Sequence, residues 1–237
     1  MSGCELYILP SRRDRELTAW LLDCLGHIAP LLRSNIHLTD ELPRRLDALI
    51  ATGSDNAARY FRHHFPNVPK VIRGNRTSVA LLQAETTDEQ LALLAKDIFL
   101  YNGLGCRNVS HLCMPENFDL NRLSIWDAYP TEHLNAHYLE VFEREKAKAK
   151  WLETDFFVAG KSLIVPESGF SPPPMSLVRA VRFKNSQDCD TWLEQFRHKI
   201  QCIAGKDIQF GESQRPKLYD YADGVDTMKF LRMRTLS

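Results

Sequence analysis

What most constrains this chain is an alternation: short β-prone runs are separated by stretches whose apolar residues recur at helical spacing. Cys4 to Leu9 is such a run, ended by Pro10, and Ser11-x-x-Asp14 then resembles a capping box that opens a helix. Leu17, Leu21, Cys24, Ile28 and Leu31 fall on one face of it as far as the Pro30 region, an apolar stripe expected to dock the helix on a sheet. Strands are predicted at Asn35 to Leu38 and at Leu46 to Thr52, the latter ended by Gly53-Ser54, followed by a short helix from Asp55 to Phe65 that Pro66 and Pro69 close. Strand, helix, strand, strand, helix in this order predicts a mainly parallel α/β sheet built from crossovers.

The pattern restarts at Thr77. Ser78 to Leu82 reads as a strand, and Thr87-x-x-Gln90 caps a helix with Leu91, Leu94, Ile98 and Phe99 on its apolar side. That helix runs into Asn102-Gly-Leu-Gly105, and Cys106 to Met114 passes through a turn into a strand bounded by Pro115. A charged helix from His133 to Lys150, strands at Lys161 to Val165 and Leu177 to Phe183, a helix from Ser186 to Lys199 and a strand near Gln201 to Ile203 follow.

Composition narrows the partners. Thirty Lys and Arg balance thirty Asp and Glu, with no run of like charge long enough to hold a nucleic acid, so none is expected. The longest apolar stretches are four or five residues, such as Val79 to Leu82, against roughly 20 for a helix that spans a bilayer, so no membrane insertion is expected either. Met1 to Leu9 has no basic region ahead of its apolar residues, and six scattered cysteines form neither a Cys-x-x-Cys pair nor a zinc-spaced cluster. Free thiols in a reducing cytoplasm and no metal are the expectation.

Cys106 is the residue placed for chemistry. Small neighbours at a helix end let a carbonyl approach its sulfur, backbone N–H groups there are available to an oxyanion, and Arg107 is positioned to favour the thiolate. The same spacing also fits a structural cysteine beside a helix cap. His111 is not read as its base, because the strand carries it away from the sulfur, and His63-His64 read as surface residues at a helix end. Asp223, Asp226 and Lys229 are read as capping groups, with a site or subunit contact as the alternative.

The segment Phe99-Leu-Tyr-Asn-Gly-Leu-Gly-Cys106-Arg-Asn-Val-Ser110 resembles the nucleophile segment of the aldehyde dehydrogenase superfamily, and Ile50-Ala-Thr-Gly53-Ser54 is similar to its dinucleotide-approaching turn. With Gln201-Cys-Ile, Phe210-Gly211 and Asp220 to Phe230, the chain looks like the acyl-CoA reductase branch related to the fatty-acid reductases of bacterial bioluminescence. The resemblance implies an α/β fold: a partial Rossmann-like nucleotide-binding sheet in residues 1–72, then an α/β catalytic domain of aldehyde dehydrogenase type in 73–237. It implies that Cys106 takes an acyl group from an acyl-CoA substrate as a thioester and that a reduced nicotinamide converts it to an aldehyde. Ile72-Arg-Gly74-Asn75 carries no carboxylate where hydrolytic relatives place a general base, which favours acyl-CoA reduction over aldehyde oxidation.

By the same resemblance Gly53 and Ser54 meet a pyrophosphate, and Pro10-Ser11 lies where the superfamily meets the adenosine ribose, although Leu9 replaces the lysine usual there. Arg12 and Arg13 suit a 2′-phosphate, so NADP is the expected cofactor and NAD the alternative. The superfamily's first strand and helix and its oxyanion asparagine have no counterpart here, which raises the expectation of an incomplete copy. The alternative function is then that of a non-catalytic remnant that associates with a full-length relative; a homo-oligomer is the other association expected.

Overall fold

A computed structural model describes residues 4–235. The chain divides into two compact units, one comprising residues up to Gly74 together with those from Tyr221 onward, the other Asn75–Asp220.

In the first unit β1 (Leu6–Ile8) leads to α1 (Arg15–Ile28), a 3₁₀ turn (Pro30–Asn35) and β2 (Ile36–Leu38). Then come β3 (Leu49–Thr52), α2 (Asp55–His64) and β4 (Lys70–Arg73). The strands pair in parallel, β1 with β2 and β3 with β4, as two separate two-stranded sheets rather than the one sheet expected. Parallel neighbours require a crossover, and α1 and α2 supply one for each pair. The stripe expected to dock α1 on a sheet is not covered: Leu17, Leu21, Ile28 and Leu31 are exposed, and Gly26 is the buried residue of the helix. A pair of three-residue strands is too small to cover a 14-residue helix. Ser11 and Asp14 do bond to each other, Oγ to Oδ2 at 2.6 Å, but Asp14 makes no side-chain cap.

The second unit holds β5 (Thr77–Leu81), α3 (Asp88–Phe99), β6 (Val109–Pro115) and, after a 3₁₀ segment at Leu120–Ala128, α4 (Ala136–Trp151). The hairpin β7 (Phe157–Ala159) and β8 (Ser162–Pro166), then β9 (Leu177–Phe183), α5 (Ser186–Gln195) and β10 (Ile200–Ala204), complete it. Its six strands form one sheet in the order β10-β5-β6-β9-β8-β7, parallel except for the β7–β8 hairpin. One apolar layer sets Leu91, Leu94 and Ile98 of α3, with Trp126 and Tyr138, against Ala80, Leu112 and Met114; a second sets Cys189, Trp192 and Leu193 of α5 against Val79, Cys113 and Val181. In the first layer two buried polar tips are matched, Trp126 Nε1 donating to the Leu91 carbonyl at 2.8 Å and the Tyr138 hydroxyl to that of Lys161 at 3.0 Å, whereas Trp192 Nε1 in the second has no partner among the described residues.

The capping box of α3 forms as read, with Thr87 accepting from the Gln90 N–H and Gln90 from the Thr87 N–H. β4 and β7 lie in stretches read as connections, and α5 stops at Gln195, because Arg197–Lys199 turns the chain into β10. At the C-terminus α6 (Thr227–Thr235) belongs to the first unit, where the sequence reading kept all of 73–237 together. Arg73 donates to Thr227 Oγ1 at 2.9 Å within that unit, a bond between residues 154 positions apart that local patterning does not reveal. Among the described residues no helix is long and apolar enough to cross a membrane.

Candidate functional site

Cys106 lies on the turn that feeds β6, and its thiol is exposed. The approach is backbone of an uncommon kind. Tyr101, Asn102 and Gly103 all take left-handed conformations, with φ of 55°, 56° and 65°. Glycine adopts this freely and asparagine tolerates it, whereas Tyr101 stores on the order of 1–3 kcal/mol there. Asn102 is held in place by accepting the Asn135 N–H at 2.8 Å.

Asn108 closes the turn. Its N–H donates to the Gly105 carbonyl at 3.0 Å, and its Oδ1 accepts the Gly105 N–H at 2.8 Å. Its Nδ2 donates to the carbonyls of Asp97, Ile98 and Leu100, at 3.0, 3.2 and 2.9 Å, satisfying acceptors that the end of α3 leaves open. Gly105 is required by close approach: a Cβ there would lie 2.9 Å from Asn108 Oδ1. Small residues beside Cys106 therefore serve the geometry of the turn as well as access to the sulfur.

Two further contacts fix the corner. The Cys106 carbonyl accepts the Ser78 hydroxyl at 3.0 Å, and that hydroxyl also lies 3.1 Å from the buried Cys202 sulfur. Arg107 Nε donates to the Ser213 carbonyl, so its guanidinium anchors the 211–213 loop rather than serving only as a neighbouring cation for the thiol. Asp97 holds the same loop, accepting the N–H groups of Gly211 at 2.7 Å and Ser213 at 2.9 Å. Burial raises the Asp97 carboxyl above its ordinary value, and these hydrogen bonds oppose the shift. Among the described residues the Cys106 N–H makes no hydrogen bond. The result is an exposed thiol on a corner locked from behind, beside its own unpaired N–H.

The sequence singled out Cys106 but none of Asp97, Asn108, Ser78 and Ser213, which the structure places around its turn. Asp97 left a trace, since a carboxylate sits within the apolar positions Leu94 and Ile98 of α3 and is buried there. His111 is buried on β6, stacked on Phe170 at 4.3 Å between ring centroids, and is part of the core. His63 and His64 sit at the exposed end of α2, and Asp226 caps α6 by accepting the Lys229 N–H at 2.9 Å.

The candidate cofactor residues lie in the first unit. Gly53 is confined by proximity, since a Cβ would stand 3.0 Å from that of Ala57, and Ser54 is the N-cap of α2, accepting the Ala57 N–H at 3.4 Å. Pro10 and Ser11 follow β1 as Gly53 and Ser54 follow β3, so each pair sits just past the carboxyl end of a parallel strand, the end at which α/β sheets bind ligands. The two pairs belong to different strand pairs. Arg12 and Arg13 are exposed, and among the described residues no side chain engages them, whereas Arg15 is bonded to Asp40 at 2.5 Å. The stretch Ile72 to Asn75 carries no carboxylate of its own, but the fold sets Asp55 Oδ1 2.9 Å from where a Cβ of Gly74 would lie. Among the described residues no group of three His, Cys, Asp or Glu side chains gathers to hold a metal ion.

No protein-family model matches the chain. No curated protein matches it either. Solved structures do. A protein from Anabaena variabilis described as "Putative Aldehyde Dehydrogenase PutA" superposes with a TM-score of 0.66 at 12% identity, over 97% of this chain and 64% of that one. Lactaldehyde dehydrogenase gives a TM-score of 0.60 at 16% identity, over 78% and 48%. Proline utilization A from Bradyrhizobium japonicum, as its D779W mutant, gives 0.62 at 12% identity, over 83% of this chain and 27% of that one. The chain thus spans about a quarter to under two thirds of the length of these structures. Its fold is the α/β fold of aldehyde dehydrogenase-type proteins.

Proposed function

We propose that this chain carries the acyl-transfer half of an NADP(H)-dependent acyl-CoA reduction, with NAD(H) as the alternative cofactor, in a reducing cytoplasm. The observation that carries the reading is the exposed Cys106 on its locked corner, in a fold of aldehyde dehydrogenase type. In this reading the Cys106 sulfur attacks the thioester carbonyl of the acyl-CoA, the Cys106 N–H receives the oxyanion, and coenzyme A leaves as its thiolate, so an acyl-cysteine thioester remains. A reduced nicotinamide, when bound, supplies the hydride that takes this thioester to the aldehyde level. Pro10, Ser11, Gly53 and Ser54 would bind the dinucleotide, and Arg12 and Arg13 its 2′-phosphate. The Ser78 hydroxyl and the Asn108 amide keep the corner from relaxing while the sulfur is acylated.

The exposed α1 stripe supports a second element of the proposal, that the chain works against another subunit, either a second copy or a full-length relative. The chemistry is tested by incubating the full chain with acyl-CoA and weighing it intact. One acyl group should appear on the wild-type protein and be absent from Cys106→Ala. No adduct, or an adduct undiminished in the variant, would overturn the assignment. Following aldehyde formation with NADPH and then NADH tests the roles of Arg12 and Arg13.

A further inference from the structure

The Ser78 hydroxyl behind the Cys106 corner has two partners, and counting its hydrogens decides how they are joined. A serine hydroxyl carries one hydrogen and accepts through its lone pairs. That hydrogen goes to the Cys106 carbonyl at 3.0 Å, so the Cys202 sulfur, 3.1 Å from the same oxygen, is the donor of the second bond. The chain of bonds therefore runs from the Cys202 S–H to the Ser78 oxygen, and from the Ser78 O–H to the Cys106 carbonyl. Burial raises the Cys202 thiol above its ordinary value, so the proton this chain needs is retained. Ser78 is fully buried and Cys202 keeps 5% of its surface, so solvent does not replace a bond that is lost.

The sheet itself brings these groups together. On one side of β5, Thr77 pairs with Ile200 and Val79 with Ile203 of β10, so Gln201 and Cys202 both stand opposite the single residue Ser78. On the other side Ser78 pairs with Val109 and Val79 with His111 of β6, which leaves Ser110 as an extra residue. Ser78 thus lies between two bulges, a feature rare between parallel strands and one that re-aims side chains beside active sites. The backbone here has its own ties: the Thr77 and Ser110 hydroxyls bond to each other, and the Ser78 N–H donates to the Asn108 carbonyl at 3.2 Å. The Ser78 side chain is left to the Cys202–Cys106 connection.

We propose that Cys202 is a positioning residue for Cys106, its S–H fixing the Ser78 hydroxyl and that hydroxyl fixing the peptide plane that follows Cys106. What Cys106 is positioned for rests on the acyl-transfer reading above. Because β6 anchors the chain beyond the turn, rotation of that peptide would swing the sulfur and the Cys106 N–H together away from a bound acyl group. Cys202 touches no substrate, so its removal slows acyl transfer without weakening the binding of acyl-CoA.

Two measurements on the full chain test this. With cysteine labelled at its carbonyl by carbon-13, the Cys106 signal, identified by its absence from Cys106→Ala, should move upfield in Cys202→Ala and in Ser78→Ala. It should stay near its wild-type position in Cys202→Ser, whose hydroxyl restores a donor. Acyl-adduct formation, followed by intact mass over a range of acyl-CoA concentrations, should give a maximal rate about three- to tenfold lower in Cys202→Ala, with the half-saturating concentration unchanged and recovery in Cys202→Ser. Ser78→Ala combined with Cys202→Ala should be no slower than Ser78→Ala alone, because Cys202 acts through Ser78. Cys202→Val removes the donor without leaving a cavity and serves if Cys202→Ala does not fold. An unmoved Cys106 signal in the donor-free variant, or a maximal rate there equal to that of the wild type, overturns the proposal while the wild-type adduct leaves the acyl-transfer reading standing. A wild-type chain that forms no adduct overturns that reading instead, and the carbonyl signal then decides whether Cys202 fixes the corner.

Discussion

Asn108 uses every hydrogen-bonding atom of its side chain on backbone within eleven residues of itself, and that is why Cys106 stands where it does. Nothing in the string Gly-Cys-Arg-Asn announces this, since an asparagine after a glycine-rich stretch reads equally well as loop punctuation. His111, two residues into the strand, was legible as a residue that strand geometry carries off the turn, and the structure buries it in the core. What the sequence did not show is its electrostatic consequence. Burial, with Arg179 adding and Glu167 opposing, lowers His111 from 6.5 to about 4. A depressed folded value means that its contribution to stability is fully present above 6.5 and is lost as pH falls through about 4, amounting to about 3 kcal/mol across that window. Asp97 works with the opposite sign: its raised carboxyl contributes fully below 3.8 and less as pH rises through its folded value, so the effect of His111 must be read as a difference between proteins that both keep Asp97. His111→Phe keeps an aromatic ring against Phe170 and removes a buried Nε2 that has no partner among the described residues. Urea midpoints at pH 7 and pH 4 should show the wild type losing up to about 3 kcal/mol more than the variant, and equal losses would remove His111 from the acid response.

At the scale of elements, α1 and α3 carry the same signal and meet different fates. Both place apolar residues at helical spacing behind an acceptor residue. On α3 these residues are buried under a six-stranded sheet, whereas on α1 Ile28 is 81% exposed and Leu31, just beyond the helix, 90%. Periodicity states which face is apolar and leaves open what covers it, because the cover comes from elsewhere in the chain or from another chain. The proposed association gives this difference a measurable form. Leu21→Lys combined with Ile28→Lys replaces exposed apolar groups, so each should change the unfolding free energy by no more than about 0.5 kcal/mol. The same pair of lysines should lower the mass seen by light scattering. A wild-type chain that already runs as a monomer, or a mass that the lysines leave unchanged, would rule α1 out as the contact. Elements of low contrast, such as β4 and β7, escaped the sequence reading because four- and three-residue strands beside prolines or charged helices resemble connections.

For the whole molecule, the division into two units is a statement about where contacts close, and the connection after residue 214 is its weak point. Leu218 is fully exposed and Tyr219 largely so, in a stretch between the Ser213 anchor and α6. Limited trypsin digestion should cut first after Lys217, since that exposed backbone can enter a protease without loss of a core, whereas Lys161 and Lys199 border strands of the six-stranded sheet. A first cut at Lys161 would contradict the division. By itself, the amino-acid sequence determined the α/β class, the capped start of α3, the position of β9 and the turn that carries the exposed cysteine, because each depends on period and capping within a few neighbouring residues. Only the tertiary structure decided that Ser78, Asp97, Asn108 and Ser213 converge behind Cys106 and that α6 returns to the first unit. Those pairings join residues up to 154 positions apart, and their geometry follows from which strand lies beside which, a choice that burial of the whole core makes and no local pattern records.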